Sequence, residues 1–367
     1  MQAMVSAAAT FGAASFGAVS FGTASVASAS SVSSGAPLFA SVQAGTPLAG
    51  VLVVLLFAFL LAAVAIAWCC WRSPARIIGL EYRRQRRALG FTLRSVRIGE
   101  HDIAYVERAA GHAAAPCVVM IHGYTGSKEN WYLLAAQLGT RYRLVAPDLP
   151  GWGQSQRLAG RDYGFSAQAE HVAAFLRALG DAPVALLGHS MGGGIAALVA
   201  ARHPALVSRL ALIDAAGVEF AENRFGLDVL AGRNPFAVSD RASLERYLDV
   251  LFHDRGARPA MPWPGPWLLC TLRRRDADFE QSVLERIGRS DERFLPWQQA
   301  TQIRQPTLLA WGRHDRVIDP SAMARYAQQI PQARTLLLEH SGHMTVMEEP
   351  AALADAVVAL IEEDPVA

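Results

Sequence analysis

Val184-Ala185-Leu186-Leu187-Gly188-His189-Ser190-Met191-Gly192-Gly193-Gly194, continued by Ile195-Ala196-Ala197-Leu198-Val199-Ala200-Ala201, decides the fold. A short apolar run bounded by glycine reads as a buried strand, and the apolar run after Gly194 has helical character, so G-x-S-x-G falls on a strand-to-helix corner. Such a corner forces Ser190 into a strained backbone conformation with its hydroxyl projecting. Gly188 and Gly192 lack the side chains that would keep neighbouring backbone away. The N–H of Met191, at the helix start, has no intrahelical acceptor and can face a developing oxyanion.

A serine hydroxyl is a weak nucleophile until a base takes its proton, so a histidine and an orienting carboxylate must come from elsewhere in the chain. With the chain order Ser, acid, His, five of the ten histidines qualify: His203, His253, His314, His340 and His343. His343, in Ser341-Gly342-His343 just past the last apolar strand, is the expected base, with His340 as the alternative. The expected acid is Asp315 in Gly312-Arg313-His314-Asp315, which follows a buried strand; Asp319 and Asp214 are alternatives, and Asp148 reads as structural. His122 and His189 lie beside glycines inside motifs and read as supports of loop geometry. A second oxyanion donor is expected after the first buried strand, in His122-Gly123-Tyr124-Thr125-Gly126-Ser127, from the N–H of Tyr124.

Outward from this corner, residues 92–98 and 103–107 read as an opening hairpin. Short apolar strands then recur at 117–121, 143–147, 184–187, 210–213, 307–311 and 334–339 with helical patterns between them. That rhythm predicts an α/β fold, a mostly parallel central sheet with helices on both faces. It covers 92–218 and 299–367. Residues 219–298 break the rhythm and read as a mainly helical cap over Ser190. In it Phe225, Leu227, Tyr247, Leu251, Trp263 and Trp267 are candidates to line an apolar substrate pocket.

Composition narrows the function classes. Of 367 residues 52% are apolar and only 18% charged, which excludes a disordered polyampholyte, and a net charge of +2 gives no general surface for nucleic acid. The four cysteines, Cys69, Cys70, Cys117 and Cys270, form no C-x-x-C, so neither a zinc ribbon nor a disulfide scaffold is indicated, and no cofactor or metal is expected. No Asp, Glu, Lys or Arg occurs before Arg72. Residues 1–47 are Ala/Ser/Gly-rich, with Phe-Gly repeated at 11, 16 and 21, and read as a disordered leader. Residues 48–71 are uncharged and apolar; as a helix they reach about 36 Å at ~1.5 Å per residue, enough to cross a hydrocarbon core of roughly 30 Å. A cleaved secretory signal ending at Ala65-Ile66-Ala67 is the competing reading, weakened by the absent basic flank, and a lipid anchor at Cys69 is disfavoured by Trp68. Residues 72–91 carry Arg72, Arg76, Arg83, Arg84, Arg86 and Arg87 against Glu81, a basic juxtamembrane segment suited to anionic headgroups, so 48–87 should engage membrane lipids. By the positive-inside rule this cluster is cytoplasmic.

Taken together, His122-Gly123, Asp148-Leu149-Pro150-Gly151-Trp152-Gly153-Gln154-Ser155, Gly188-His189-Ser190-Met191-Gly192-Gly193, Gly312-Arg313-His314-Asp315 and Gly342-His343 resemble the α/β-hydrolase superfamily over about residues 92–367. With one N-terminal span, the whole chain is most similar to membrane-anchored monoacylglycerol-lipase-like enzymes and bacterial anchored phospholipases A. The resemblance implies an α/β-hydrolase fold and hydrolysis of a carboxylic ester of a lipid, by Ser190, Asp315 and His343 through an acyl-serine intermediate. It also implies a place in a cell membrane, the bacterial inner membrane by preference. Carbon–carbon bond hydrolysis or perhydrolysis on the same fold, and an inactive lipid-binding scaffold, are the alternatives; self-association is an open partner class.

Overall fold

The computed structural model describes residues 47–72, 74–112, 115–180 and 183–362. The leader expected over 1–47 lies, but for Pro47, outside them. Helix α1 (Pro47–Arg72) is uninterrupted, and its stretch Ala49–Cys69 is long and apolar enough to cross a membrane, with every side chain exposed rather than packed inside protein. No charge interrupts it, as a candidate membrane span requires.

α2 (Pro74–Ala88) follows, its arginines sharing a helix with Ile77, Ile78 and Leu80. Eight strands follow: β1 (Thr92–Ile98), β2 (His101–Arg108), β3 (Cys117–Ile121), β4 (Arg143–Pro147), β5 (Val184–His189), β6 (Val207–Ile213), β7 (Thr307–Gly312) and β8 (Arg334–Leu338). They form one sheet in the order β1-β2-β4-β3-β5-β6-β7-β8. β1 pairs antiparallel with β2, and β2 with β4, while every pairing from β4 to β8 is parallel. The expected mostly parallel sheet is therefore observed, its hairpin turning at Gly99-Glu100.

The central strands β3 and β5 are buried at every position, as a sheet covered on both faces requires. Among its covering helices are α3 (Tyr132–Leu138), α4 (Phe165–Leu179), α5 (Met191–Arg202), α10 (Ser321–Gln329) and α12 (Pro350–Glu362). α5 is buried from Met191 to Ala201, so the helix behind the serine is apolar all round and fixed in the core. Between β6 and β7 the cap runs through α6 (Arg224–Leu230), α7 (Arg241–Leu251), α8 (Gly265–Arg289) and α9 (Leu295–Gln299), the expected mainly helical insertion. The long cap helix α8 packs against α2, α6 and α7.

Candidate active site

Ser190 stands between β5 and α5 with φ 55° and ψ −121°, a strained conformation for a non-glycine residue. Its backbone is tied on both sides: its N–H donates to the Ile213 carbonyl at 2.9 Å, and its own carbonyl accepts from Gly193, Gly194 and Ala216. The glycine spacing has a steric cause. A Cβ on Gly188 would collide with Gly192, and one on Gly192 with the carbonyls of Ile121 and His122. The corner thus packs directly on the end of β3, where Gly123 brings its backbone against the Ser190 side chain.

His343 and Asp315 are brought together. His343 Nδ1 donates to Asp315 Oδ2 at 2.8 Å. The other carboxylate oxygen accepts the N–H groups of Val317 at 2.7 Å and Ile318 at 3.0 Å, which fixes its orientation. The His343 N–H donates to the Leu251 carbonyl at 2.9 Å, and its own carbonyl accepts from His189 Nε2 at 2.7 Å, so the histidine loop is locked to the residue before Ser190. Burial pushes the His343 imidazole below its ordinary value and the Asp315 carboxyl above its own. At neutral pH the imidazole is therefore neutral, with its proton on Nδ1 and Nε2 free to accept. Ser190 Oγ and His343 Nε2 make no hydrogen bond among the described residues, as is common where no substrate is bound.

The alternatives fall elsewhere. Asp214, with φ 47°, is wholly buried; it accepts from the Gly312 N–H at 2.8 Å and the Thr345 hydroxyl at 2.5 Å, and so joins the loops carrying Asp315 and His343. His340 is exposed, and its N–H is held by Glu349. Asp319 accepts from the Ser321 N–H at the start of α10. His122 accepts from the Leu149 N–H at 2.9 Å through Nε2 and donates to the Gly123 carbonyl at 2.8 Å through Nδ1, and so ties the β3 loop to the β4 loop.

The N–H groups of Tyr124 and Met191 have no hydrogen-bond acceptor among the described residues, and both residues line the cavity onto which Ser190 opens. The Tyr124 ring stacks on Phe236 and its hydroxyl donates to the Glu280 carbonyl at 2.7 Å, so the cap holds this loop in place. That cavity, of about 80 Å³ and open to solvent on one side, is walled by apolar side chains, among them Phe165, Phe220, Phe225, Val229, Leu284 and Ile287. Of the six cap candidates only Phe225 lines it. Leu227, Trp263 and Trp267 are exposed, and Leu251 is buried, its carbonyl holding the histidine loop. Tyr247 stands behind the Tyr124-Thr125 loop, 3.1 Å from the Thr125 hydroxyl and under the Arg273 guanidinium. An apolar residue in a helix of known polarity pattern does not declare which neighbour it faces, which is why the candidate set mixed wall, packing and surface residues.

One buried group escaped sequence reading. Lys128, the sole lysine of the chain, has 1% of its side chain exposed; its Nζ lies 2.6 Å from Asp148 and 3.0 Å from Glu129, and its N–H donates to Asp148 at 2.8 Å. The signal was present, a lone lysine among 33 arginines just beyond a glycine-rich loop.

This sheet order, the serine corner and the buried Asp315–His343 pair define a class. The α/beta hydrolase fold family matches residues 116–350, and the chain belongs to it. Monoacylglycerol lipase ABHD6 from Homo sapiens is 29% identical over 296 residues, which are 78% of this chain and 86% of that protein. Lipase 1 from Psychrobacter immobilis is 29% identical over 281 residues, 75% of this chain and 85% of its own. Among solved structures, that of a membrane phospholipase A described as a bacterial virulence factor is 34% identical, covers 84% of this chain and 97% of its own, and superposes with a TM-score of 0.74.

Proposed function

We propose that the protein is a membrane-anchored serine hydrolase that cleaves carboxylic esters of glycerolipids. The observation that carries this reading is the His343–Asp315 pair, locked to the Ser190 corner, beside an apolar cavity lined by Ser190 and two free N–H groups. Relatives named as a monoacylglycerol lipase, a lipase and a membrane phospholipase A support the lipid ester as substrate, and α1 supports the anchor. Membrane lipids are then partners through residues 48–87, in a cell membrane crossed once.

Ser190 Oγ attacks the ester carbonyl as His343 Nε2 takes its proton, and Asp315 holds the imidazole in the tautomer that can accept it and steadies the imidazolium that forms. The N–H groups of Tyr124 and Met191 receive the tetrahedral oxyanion; removal of one such donor typically costs about 2.7–4 kcal/mol of barrier stabilisation. The imidazolium returns the proton to the leaving alcohol. Water, deprotonated by the same imidazole, then releases the fatty acid from the acyl-serine.

The test is the detergent-solubilised protein and its Ser190→Ala variant against p-nitrophenyl acyl esters, monoacylglycerols, lysophospholipids and diacyl phospholipids. Wild-type turnover of lipid esters with none in the variant is expected. Turnover retained by purified Ser190→Ala sinks the mechanism, and hydrolysis of small esters without any lipid sinks the substrate class.

A further inference from the structure

Eighteen residues line the cavity beside Ser190, and Arg293 is the single charged one among them. It sits in the turn between α8 and α9, partly exposed, while most of the walls are buried. A guanidinium next to an apolar pocket is costly unless it is paired. Here it is not: no carboxylate of the described residues forms an ion pair with it, and its side-chain N–H groups make no hydrogen bond to them. Its close partner is the Phe294 ring, 4.5 Å from the guanidinium carbon. Burial lowers its pKa, opposed only by the more distant charge of Glu219. The contrast with the rest of the cap is informative. Arg273, Arg286, Arg233 and Arg258 each hold a carboxylate within 2.9 Å. An aromatic ring occupies one face of the Arg293 guanidinium and leaves the in-plane donors, the edge that grips an oxyanion with two parallel bonds, uncommitted.

We propose that Arg293 is a headgroup subsite that binds the phosphate of a phospholipid ester whose carbonyl lies at Ser190, so that the enzyme prefers phosphate-bearing glycerolipids to neutral monoacylglycerols. This rests on the lipid-ester reading above and sharpens it. The apolar walls accept hydrocarbon of either substrate equally; only the cation distinguishes them. Arginine suits the task because its charge persists at any physiological pH and its planar fork matches two phosphate oxygens. A membrane supplies that chemistry at high density beside the anchor.

The experiment compares wild type, Arg293→Gln and Arg293→Lys, full length in detergent, on three substrates of equal acyl length: a monoacylglycerol, the corresponding lysophosphatidylglycerol, and the monomethyl ester of a dicarboxylic acid. For the lysophosphatidylglycerol, kcat/KM should fall about tenfold or more in Arg293→Gln, chiefly through KM, with partial recovery in Arg293→Lys and monoacylglycerol turnover within twofold of wild type. Equal loss on all three substrates, or loss on none, overturns the subsite. A selective loss on the dicarboxylate ester overturns the phosphate assignment and places a substrate carboxylate there instead. Wild type that hydrolyses p-nitrophenyl butyrate but neither glycerolipid refutes the lipid reading itself, an outcome separate from the others.

Discussion

Replacement of Lys128 by Met tests whether the buried ion pair beneath the oxyanion loop holds that loop in register. The side chain is 1% exposed and its partner Asp148 is fully buried, so the substitution preserves most of the volume and removes the charge alone. Asp148 keeps two backbone donors, the N–H groups of residue 128 and Gln154, both at 2.8 Å, yet its negative charge loses the Lys128 cation. Breaking one side of such a pair costs about 3–5 kcal/mol. At roughly 2–4 °C per kcal/mol for a domain of this order of size, the thermal midpoint should drop by roughly 6–20 °C. Because residues 127–131 continue directly from the Tyr124 turn, the donor shifts with them, and kcat should fall about 10²-fold or more. The assay is scanning fluorimetry and p-nitrophenyl ester turnover of detergent-solubilised wild type, Lys128→Met, Asp148→Asn and the double variant. The double variant should be more stable than Lys128→Met, since it removes the stranded charge. Two results refute the reasoning: a Lys128→Met midpoint within 2 °C of wild type, or a double variant whose loss equals the sum of the single losses.

Other perturbations read different parts of the site. Asp315→Asn keeps the shape but turns the imidazole toward the wrong tautomer, so kcat should fall by about 10³–10⁴ with folding intact by circular dichroism. Since burial holds His343 neutral, its base form persists on acidification. The acid limb of kcat/KM should therefore have its midpoint below pH 6.5, and a midpoint near 7.5 contradicts the buried, neutral imidazole. Gly192→Ala places a methyl on the carbonyls of Ile121 and His122 and should abolish soluble expression or activity. Val229→Phe should narrow the cavity and shift preference to shorter acyl esters, whereas Trp263→Ala, at a side chain 88% exposed, should leave kcat/KM within twofold.

Legibility in the sequence followed how local the physics is. The serine corner, the strand before it and the helix behind it are one continuous stretch with its own G-x-S-x-G spacing, so 184–201 announced itself, although Gly192 answers to the distant carbonyls of Ile121 and His122. Asp315 and His343 each follow a short apolar strand, and parallel topology carries those strand ends to one edge of the sheet, which is why strand-end position within the chain order picked the pair now seen at 2.8 Å. Side chains whose role depends on packing across the sequence were not legible. The Lys128–Asp148 contact joins the loops after β3 and β4. Asp214 reads in sequence as a strand-end acid and is in space a brace between two loops, through Gly312 and Thr345. Trp263 and Trp267 look like pocket residues by type, yet they lie at the surface, while Arg293, which type alone would place at the surface, lines the cavity.

The covalent step can be observed directly. Rapid quenching during turnover of a slow acyl ester, followed by proteolysis and mass spectrometry, should find the acyl mass on the peptide that contains Ser190 and on no other. An acyl adduct on a different residue, or full steady-state turnover with no adduct on that peptide under conditions where deacylation is rate-limiting, would contradict the account.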